Sequence, residues 1–399
     1  MRVSFICCPF RTSFGAYGSS LKSAVEAKSG SKVQWVASNC GCGDPMETGR
    51  HFQTKECDYF NMPLPTGYIS KSPWKRRMRG ASRSMLLYLR AKKYAAMLDR
   101  PDVVHFQQVL NGYGSKALFS WLKLPSNATR VVTVHELDAD QMEAPETNKT
   151  YNRADAIIVH CAEMKDQLIR LGVQPEKIHI ILHGTSVPDA SEGVRDGILF
   201  YGGHKIKSGK GMDTVFKALA VIRKQRPDSV PVLRIHGHFG SETPAEGAKL
   251  AEEIGIADKV EWLNQLPEDE LIPLYQRSLV CLLPFTGSFA GLSASIAAAC
   301  QTPVVCTRKA GLPDHLGDAG IWIEENNAEQ LAAKIIELID DETLRKQVGS
   351  RLLKQAQEHL DWNVIASQTL SVYEEARKKK AVPVGSANLA AKEAHSVVA

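Results

Sequence analysis

The sequence predicts an α/β protein built from two doubly wound domains, each a parallel sheet with helices on both faces. Three observations carry that prediction. Short apolar runs such as Val3–Cys8, Val131–Val134 and Val304–Thr307 are continuous rather than alternating, as in strands buried on both faces. Helical stretches separate these runs along the chain, the sign of βαβ units. The pattern completes once, breaks at His183-Gly184-Thr185 and Pro188, and restarts at Ile198; at 399 residues the chain is too long for one ordinary core. The expected division is residues 1–187, residues 188–378, and a disordered tail at 379–399, with the last helix, near 361–378, able to cross back to the first domain.

Composition fits a soluble globular protein, at 44% hydrophobic and 23% charged residues. No apolar run is long enough to span a bilayer, and Met1–Pro9 reads as a first strand rather than a signal peptide. Several of the nine cysteines, Cys281 and Cys306 among them, sit inside apolar strands and read as buried thiols in a reducing compartment. A cytoplasmic protein is therefore expected. Cys40 and Cys42 are too close-set for a usual zinc pair and have no second pair, so no metal site is expected. Residues 1–190 carry 25 Lys/Arg against 17 Asp/Glu, whereas the rest carry 24 against 27. A basic first half and a mildly acidic second half point to modules with different partners.

In the first half, Val3–Cys8 leads into Ser13–Ser20, which holds Gly15 and Gly18, and a helical pattern runs from Leu21 to Ala27. The glycine segment reads equally as a structural turn or a ligand-lining loop; its spacing is not that of a dinucleotide site. Val33–Ala37 is a second strand, and residues 38–70 read as a long irregular connection. Residues 71–93 hold nine Lys/Arg and no acid, interleaved with Trp74, Met78, Met85, Leu86 and Leu89. Such a segment can lie on an anionic membrane, bind a phosphorylated acceptor, or form a solvated helix face. Strands at Val103–Phe106 and Val131–Val134 end in His105-Phe106-Gln107-Gln108 and His135-Glu136. Ligands gather at strand carboxyl ends, which makes His135 a candidate site residue. Ala156–His160 and Lys177–Leu182 complete six strands.

In the second half, strand Ile198–Tyr201 is followed by Gly202-Gly203-His204-Lys205-Ile206-Lys207-Ser208-Gly209-Lys210-Gly211 and a helix at Asp213–Arg226. Three lysines on a glycine-bearing loop suit a phosphate-rich ligand, although the order is not that of a P-loop. Strands Val232–His236 and Val260–Leu263 and a helix at Glu268–Arg277 come next. The stretch Leu283–Thr307 then joins a buried strand, a loop, a small-residue helix at Ser293–Cys300 and another strand. The helix start offers unpaired amides and a favourable dipole, with no side chain at Gly291. That stretch reads as a diphosphate-holding loop or as a plain α/β crossover. A turn at 310–314, an edge strand at Ile321–Ile323 and helices at Ala328–Asp340, Glu342–His359 and from Asp361 end the pattern.

These pieces together resemble the group-1, family 4-like glycosyltransferases of the GT-B fold, over about residues 1–378. The likeness rests on the strand, basic loop and Lys210-Gly211 at 198–213, on Gly291-Leu292, and on Ala299-Cys300-Gln301-Thr302-Pro303-Val304-Val305. It also rests on Ala310-Gly311-Leu312-Pro313-Asp314, Ala154-Asp155-Ala156 and His183-Gly184. The family's two hallmark glutamates fall on Ser288 and Ile296, the loop arginine falls on Gly203, and Gln301 replaces a glycine. The resemblance implies two Rossmann-like domains facing a cleft, the first for the acceptor and the second for the donor. It implies sugar transfer from a nucleotide-sugar to a glycan, lipid-linked or small-molecule acceptor, retaining in outcome, as in polysaccharide biosynthesis. His135 and Lys210 are the implied catalytic residues; Gly15, His204, Lys205, Lys210, Ser288, Gly291, Leu292 and Ser293 are the implied donor contacts. No cofactor or metal is required if lysines and a helix terminus neutralise the leaving diphosphate. The missing glutamates keep open an inactive adaptor that binds carbohydrate or a partner transferase; an epimerase or phosphorylase is a further alternative.

Overall fold

The computed structural model describes residues 1–7, 12–39, 58–61, 98, 100–108, 119, 124–137, 147–191, 193–202, 209–237, 245–263, 266, 268–287 and 291–381. Contacts divide the chain into two units. The first is Met1–Val159, Met164–Ile181 and the chain from Ala366 onward; the second is His160–Glu163 and Leu182–Ile365.

The first unit holds seven parallel strands: β1 Val3–Cys7, β2 Val33–Asn39, β3 Asp58–Asn61, β4 Val103–Gln107, β5 Thr129–Val134, β6 Ala156–Val159 and β7 Ile178–Ile180. Their order is β3-β2-β1-β4-β5-β6-β7. Two features depart from the sequence prediction. Residues 38–70 contain the edge strand β3, paired with the end of β2 from Val36↔Asp58 to Asn39↔Asn61. Turn-forming Asp58 and Asn61 flank only two aromatic residues, so the composition reads as loop. The segment Ser13–Ser20 is not a loop either, for helix α1 runs Thr12–Ser29 and places Gly15 within its first turn. Tyr17, Leu21 and Val25 are buried at four-residue spacing, so the core-facing stripe starts before Leu21 and overrides the glycines.

The second unit repeats the plan with β8 Ile198–Tyr201, β9 Leu233–His236, β10 Val260–Leu263, β11 Val280–Leu283, β12 Val304–Thr307 and β13 Ile321–Ile323. All pair in parallel, in the order β10-β9-β8-β11-β12-β13. Alternate residues of each strand feed two cores. Ile198, Phe200, Val280, Leu282 and Val305 face the helices carrying Val215, Phe216, Leu331 and Ile335. Leu199, Cys281, Leu283, Val304 and Cys306 face Ala294, Ala297, Ala298 and Leu352. This two-sided burial is why the strands read as unbroken apolar runs.

After α2 Thr147–Tyr151 and α3 Ala162–Arg170, the helices of this half are α4 Met212–Gln225, α5 Ala245–Ile254, α6 Glu268–Arg277, α7 Leu292–Ala299, α8 Leu312–Leu316, α9 Ala328–Asp340 and α10 Glu342–Gln355. The expected turn at 310–314 becomes Ala310 at φ +57 and the start of α8. The helix expected through His359 stops at Gln355, and Ala356–Leu360 winds on as a π-helical turn. The last helix, α11, spans Trp362–Ala381, so the expected tail begins inside it; residues 382–399 lie outside the described residues. Among the described residues no helix is long and apolar enough to cross a membrane.

Helix α7 is almost wholly alanine and serine, which lets its axis lie close to the sheet. Its carboxyl end receives a half-buried cation: Arg195 Nη2 donates to the Cys300 carbonyl at 3.0 Å, and Nη1 to Ser278 O and Thr302 Oγ1 at 2.9 and 3.0 Å. A guanidinium there offsets the negative end of the helix dipole. Just beyond, Gln301 adopts φ +55, the left-handed conformation that glycine serves at helix ends. Gln301→Gly is therefore expected to stabilise the protein by about 0.5–1 kcal/mol, the relief of left-handed strain outweighing the added freedom of the unfolded chain. Urea unfolding measures it; a lowered midpoint would contradict it.

Candidate functional site

Ligands of doubly wound sheets bind beyond the strand carboxyl ends where the strand order reverses. In the second unit that point lies between β8 and β11. Two segments leave the sheet there, and they are bound together. The amides of Thr286 and Gly287 donate to the Gly209 carbonyl at 2.8 and 3.0 Å. Gly211, at φ +81, approaches the Pro284 carbonyl so closely that no side chain fits between them.

Lys210 stands between those glycines. Its Nζ lies 3.6 Å from the ring centroid of Tyr201, the last residue of β8. Burial pushes its pKa down to about 8. A lysine held over an aromatic face and largely withdrawn from water attracts an arriving anion more strongly than a solvated one does.

Helix α7 supplies backbone donors. Ala294 and Ser295 donate to the Gly291 carbonyl at 3.0 and 3.1 Å, so the helical ladder begins there and the amides of Leu292 and Ser293 precede it. Gly291 has φ +98, and a Cβ on it would fall 2.6 Å from His315 Nδ1. His315 is fully buried and held at both ring nitrogens. Its Nδ1–H donates to Gly311 O at 2.7 Å, and its Nε2 accepts from the His183 amide at 3.0 Å. These partners fix a neutral tautomer, and burial pushes the pKa down to about 4. The carbonyl of His183 accepts from Ser295 Oγ at 2.9 Å, tying the same segment to α7. Ile296 packs half-buried against the apolar cluster on this side of the sheet.

In the first unit the corresponding reversal lies between β1 and β4. His135 follows β5 and is 7% exposed. Its Nε2 lies 3.2 Å from Gln107 Oε1, and Tyr17 meets its ring edge-on at 4.7 Å. The neighbouring His105 is fully buried between Tyr373 OH at 2.6 Å and Thr133 Oγ1 at 2.7 Å, and burial pushes its pKa down to about 3. His105 is thus a core residue.

Of the predicted site residues, Lys210, Gly291, Leu292 and Ser293 gather at the reversal point of the second sheet, and His135 sits near that of the first. Gly15 lies inside α1. His204, Lys205 and Ser288 lie outside the described residues, as does the basic segment 71–93. Sequence reasoning missed Tyr201, His315 and Gln108. Tyr201 carried one usable signal, its place at the end of a strand that precedes the basic loop. Among the described residues no group of three His, Cys, Asp or Glu side chains is placed to hold a metal ion.

Comparison with known proteins agrees with this fold. Residues 193–355 match the family described as glycosyl transferases group 1, and residues 27–188 match glycosyltransferase family 4. The chain is a group-1 glycosyltransferase. It moves a sugar from a donor to an acceptor. The transferase is 23% identical over 337 residues to D-inositol 3-phosphate glycosyltransferase of Corynebacterium glutamicum, covering 77% of this chain and 79% of the relative. It is 26% identical over 311 residues to the Corynebacterium diphtheriae protein of the same name, covering 69% and 71%. Among solved structures, sucrose-phosphate synthase from Thermosynechococcus elongatus superposes with a TM-score of 0.72 at 19% identity, over 94% of this chain and 99% of that one. Anabaena HepE, solved in complex with UDP, gives 0.67 at 14% identity, over 94% and 100%. These likenesses identify the transferase's architecture as GT-B.

Proposed function

We propose that the transferase takes a nucleoside diphosphate sugar and binds its diphosphate in the second unit, on Lys210 and the amides of Leu292 and Ser293. The observation that carries this reading is the largely buried ammonium of Lys210 at the same strand-order reversal as the first turn of α7, whose Leu292 and Ser293 amides precede its helical ladder. The bond from the anomeric carbon to the diphosphate oxygen breaks, and its electron pair leaves on the diphosphate. The acceptor hydroxyl oxygen bonds to that carbon and passes its proton to the departing diphosphate oxygen. Lys210 and the helix amides stabilise the departing charge, so the step needs no metal. We further propose that His135 touches the transferred sugar, with Ser288 a second contact, and that configuration is retained. The acceptor is a hydroxyl of a sugar, polyol or lipid-linked glycan; the relatives named for D-inositol 3-phosphate make that polyol phosphate the first to try.

Release of UDP or GDP from a panel of nucleotide-sugars, with and without such acceptors and with EDTA present, tests the reading. Acceptor-dependent release that survives EDTA is expected. If no nucleotide or nucleotide-sugar raises the melting temperature and none is turned over, the protein is an adaptor instead.

Lys210 also sets a pH dependence. Its folded pKa lies below the ordinary 10.5, so between about pH 8 and 10.5 the unfolded chain binds more protons and ligand-free stability rises with pH. A bound diphosphate favours the ammonium, so nucleotide binding in that window takes up a proton and weakens as pH rises. Calorimetry in buffers of different ionisation enthalpy should show uptake at pH 9 that is much smaller at pH 7. Equal uptake at both would exclude Lys210 as the phosphate partner.

A further inference from the structure

Residue Gln108 stands out in the first unit. It follows β4 directly, is 1% exposed, and adopts φ +68, a left-handed conformation in a residue that is not glycine. Its amide still donates to Thr133 O at 2.8 Å, so the β4–β5 pairing runs one residue past the strand. Its side chain is spent on the residues that leave β5. Oε1 accepts from the His135 amide at 2.6 Å and from the Glu136 amide at 3.3 Å, and Nε2 donates to the Glu136 carbonyl at 2.7 Å.

Three bonds to the main chain of two consecutive residues need an acceptor and a donor on one planar head at fixed spacing. A primary amide supplies both; a carboxylate cannot donate, and a hydroxyl is too short to span the units. Backbone strain of this kind persists where the surroundings over-determine it, and it clusters at functional sites. Its place at the strand end, against the residue already assigned to the sugar, makes the arrangement more than a loop staple.

We infer that Gln108 is a positioning residue for the transfer reaction: it fixes the backbone of His135 and Glu136, and so sets where the His135 imidazole meets the transferred sugar. The inference rests on the assignment of His135 given above. Gln107 holds the imidazole from the adjacent strand position, with Oε1 at 3.2 Å from His135 Nε2. One glutamine therefore orients the ring and the next orients the main chain that carries it.

The test uses the full-length protein with Gln108→Ala, Gln108→Glu, Gln108→Gly, His135→Ala and the Gln108→Ala/His135→Ala double variant. Removing the clamp is expected to lower kcat about 10- to 100-fold, the scale of a small misplacement, with the donor KM within about twofold. Gln108→Gly removes the same bonds without the left-handed strain that alanine carries, so it should melt above Gln108→Ala and still lose kcat. The double variant should be no slower than His135→Ala alone, because both changes remove one interaction. The His135 ring resonances, assigned with His135→Ala, should move in Gln108→Gly. Wild-type kcat in Gln108→Gly, losses that multiply in the double variant, or unmoved His135 resonances would each overturn the inference. Wild-type activity in His135→Ala would overturn it at its base, and that outcome is distinguishable because it leaves donor-dependent turnover intact.

Discussion

Lys210→Ala is expected to cut kcat for nucleotide release about 100- to 1,000-fold, the usual cost of deleting one group that stabilises charge developing in a transition state. The effect falls on kcat more than on donor KM, because negative charge on the diphosphate grows as the sugar leaves. Stability should move little: burial already disfavours the ammonium, which offsets the loss of contacts such as that with Tyr201. Tyr201 separates two roles for the ring. Tyr201→Phe keeps an aromatic face under Nζ and should retain most activity, whereas Tyr201→Leu removes the face and should follow Lys210→Ala downward. Steady-state kinetics with the best donor from the panel decides the matter; a Lys210→Ala enzyme with wild-type kcat would remove the proposed role.

Gly291→Ala is expected to damage the second unit severely. The backbone there, at φ +98, lies outside the region that alanine tolerates, and the new Cβ would come within 2.6–2.9 Å of three atoms of the His315 ring. That ring cannot swing aside without breaking its bonds to Gly311 and to the His183 amide. A loss of about 3 kcal/mol or more follows from backbone strain and overpacking together. Nucleotide affinity should fall as well, because any relief moves the first turn of α7. The check is urea unfolding and nucleotide binding of Gly291→Ala with and without His315→Ala. Removing the imidazole makes room, so the pair should be strongly non-additive; additive losses would show that His315 is not the obstacle.

How much of this was legible in the chain differs by element. Strands buried on both faces announce themselves, and Ile198–Tyr201 and Val280–Leu283 read as apolar runs bounded by turn residues. The edge strand Asp58–Asn61 did not, because two aromatic residues between two turn-formers make no periodic signal. Helix α1 hid behind Gly15 and Gly18, although Tyr17, Leu21 and Val25 already trace its inner face. In the site, Lys210 and Gly291 were legible because local spacing marks them. His315 was not: its work is to join the His183 amide, 132 residues earlier, to the turn at Gly291. Gln108 and Tyr201 escaped for the same reason, since a side chain that serves a neighbouring strand or loop leaves no pattern in its own segment.

The last helix has a consequence for how this chain comes to be folded at all. Tyr373 hydrogen-bonds His105 across 268 residues, and Lys380 binds Asp155 and the Ala128 carbonyl, so most of α11 is part of the amino-terminal lobe. During synthesis that lobe must wait, its interior lacking Tyr373 and Ala376, until the second unit and α11 have been made. A nonsense codon between Ile365 and Tyr373 would therefore injure the first half of the protein, and the two halves made as separate genes would not assemble unless helix α11 travelled with the first.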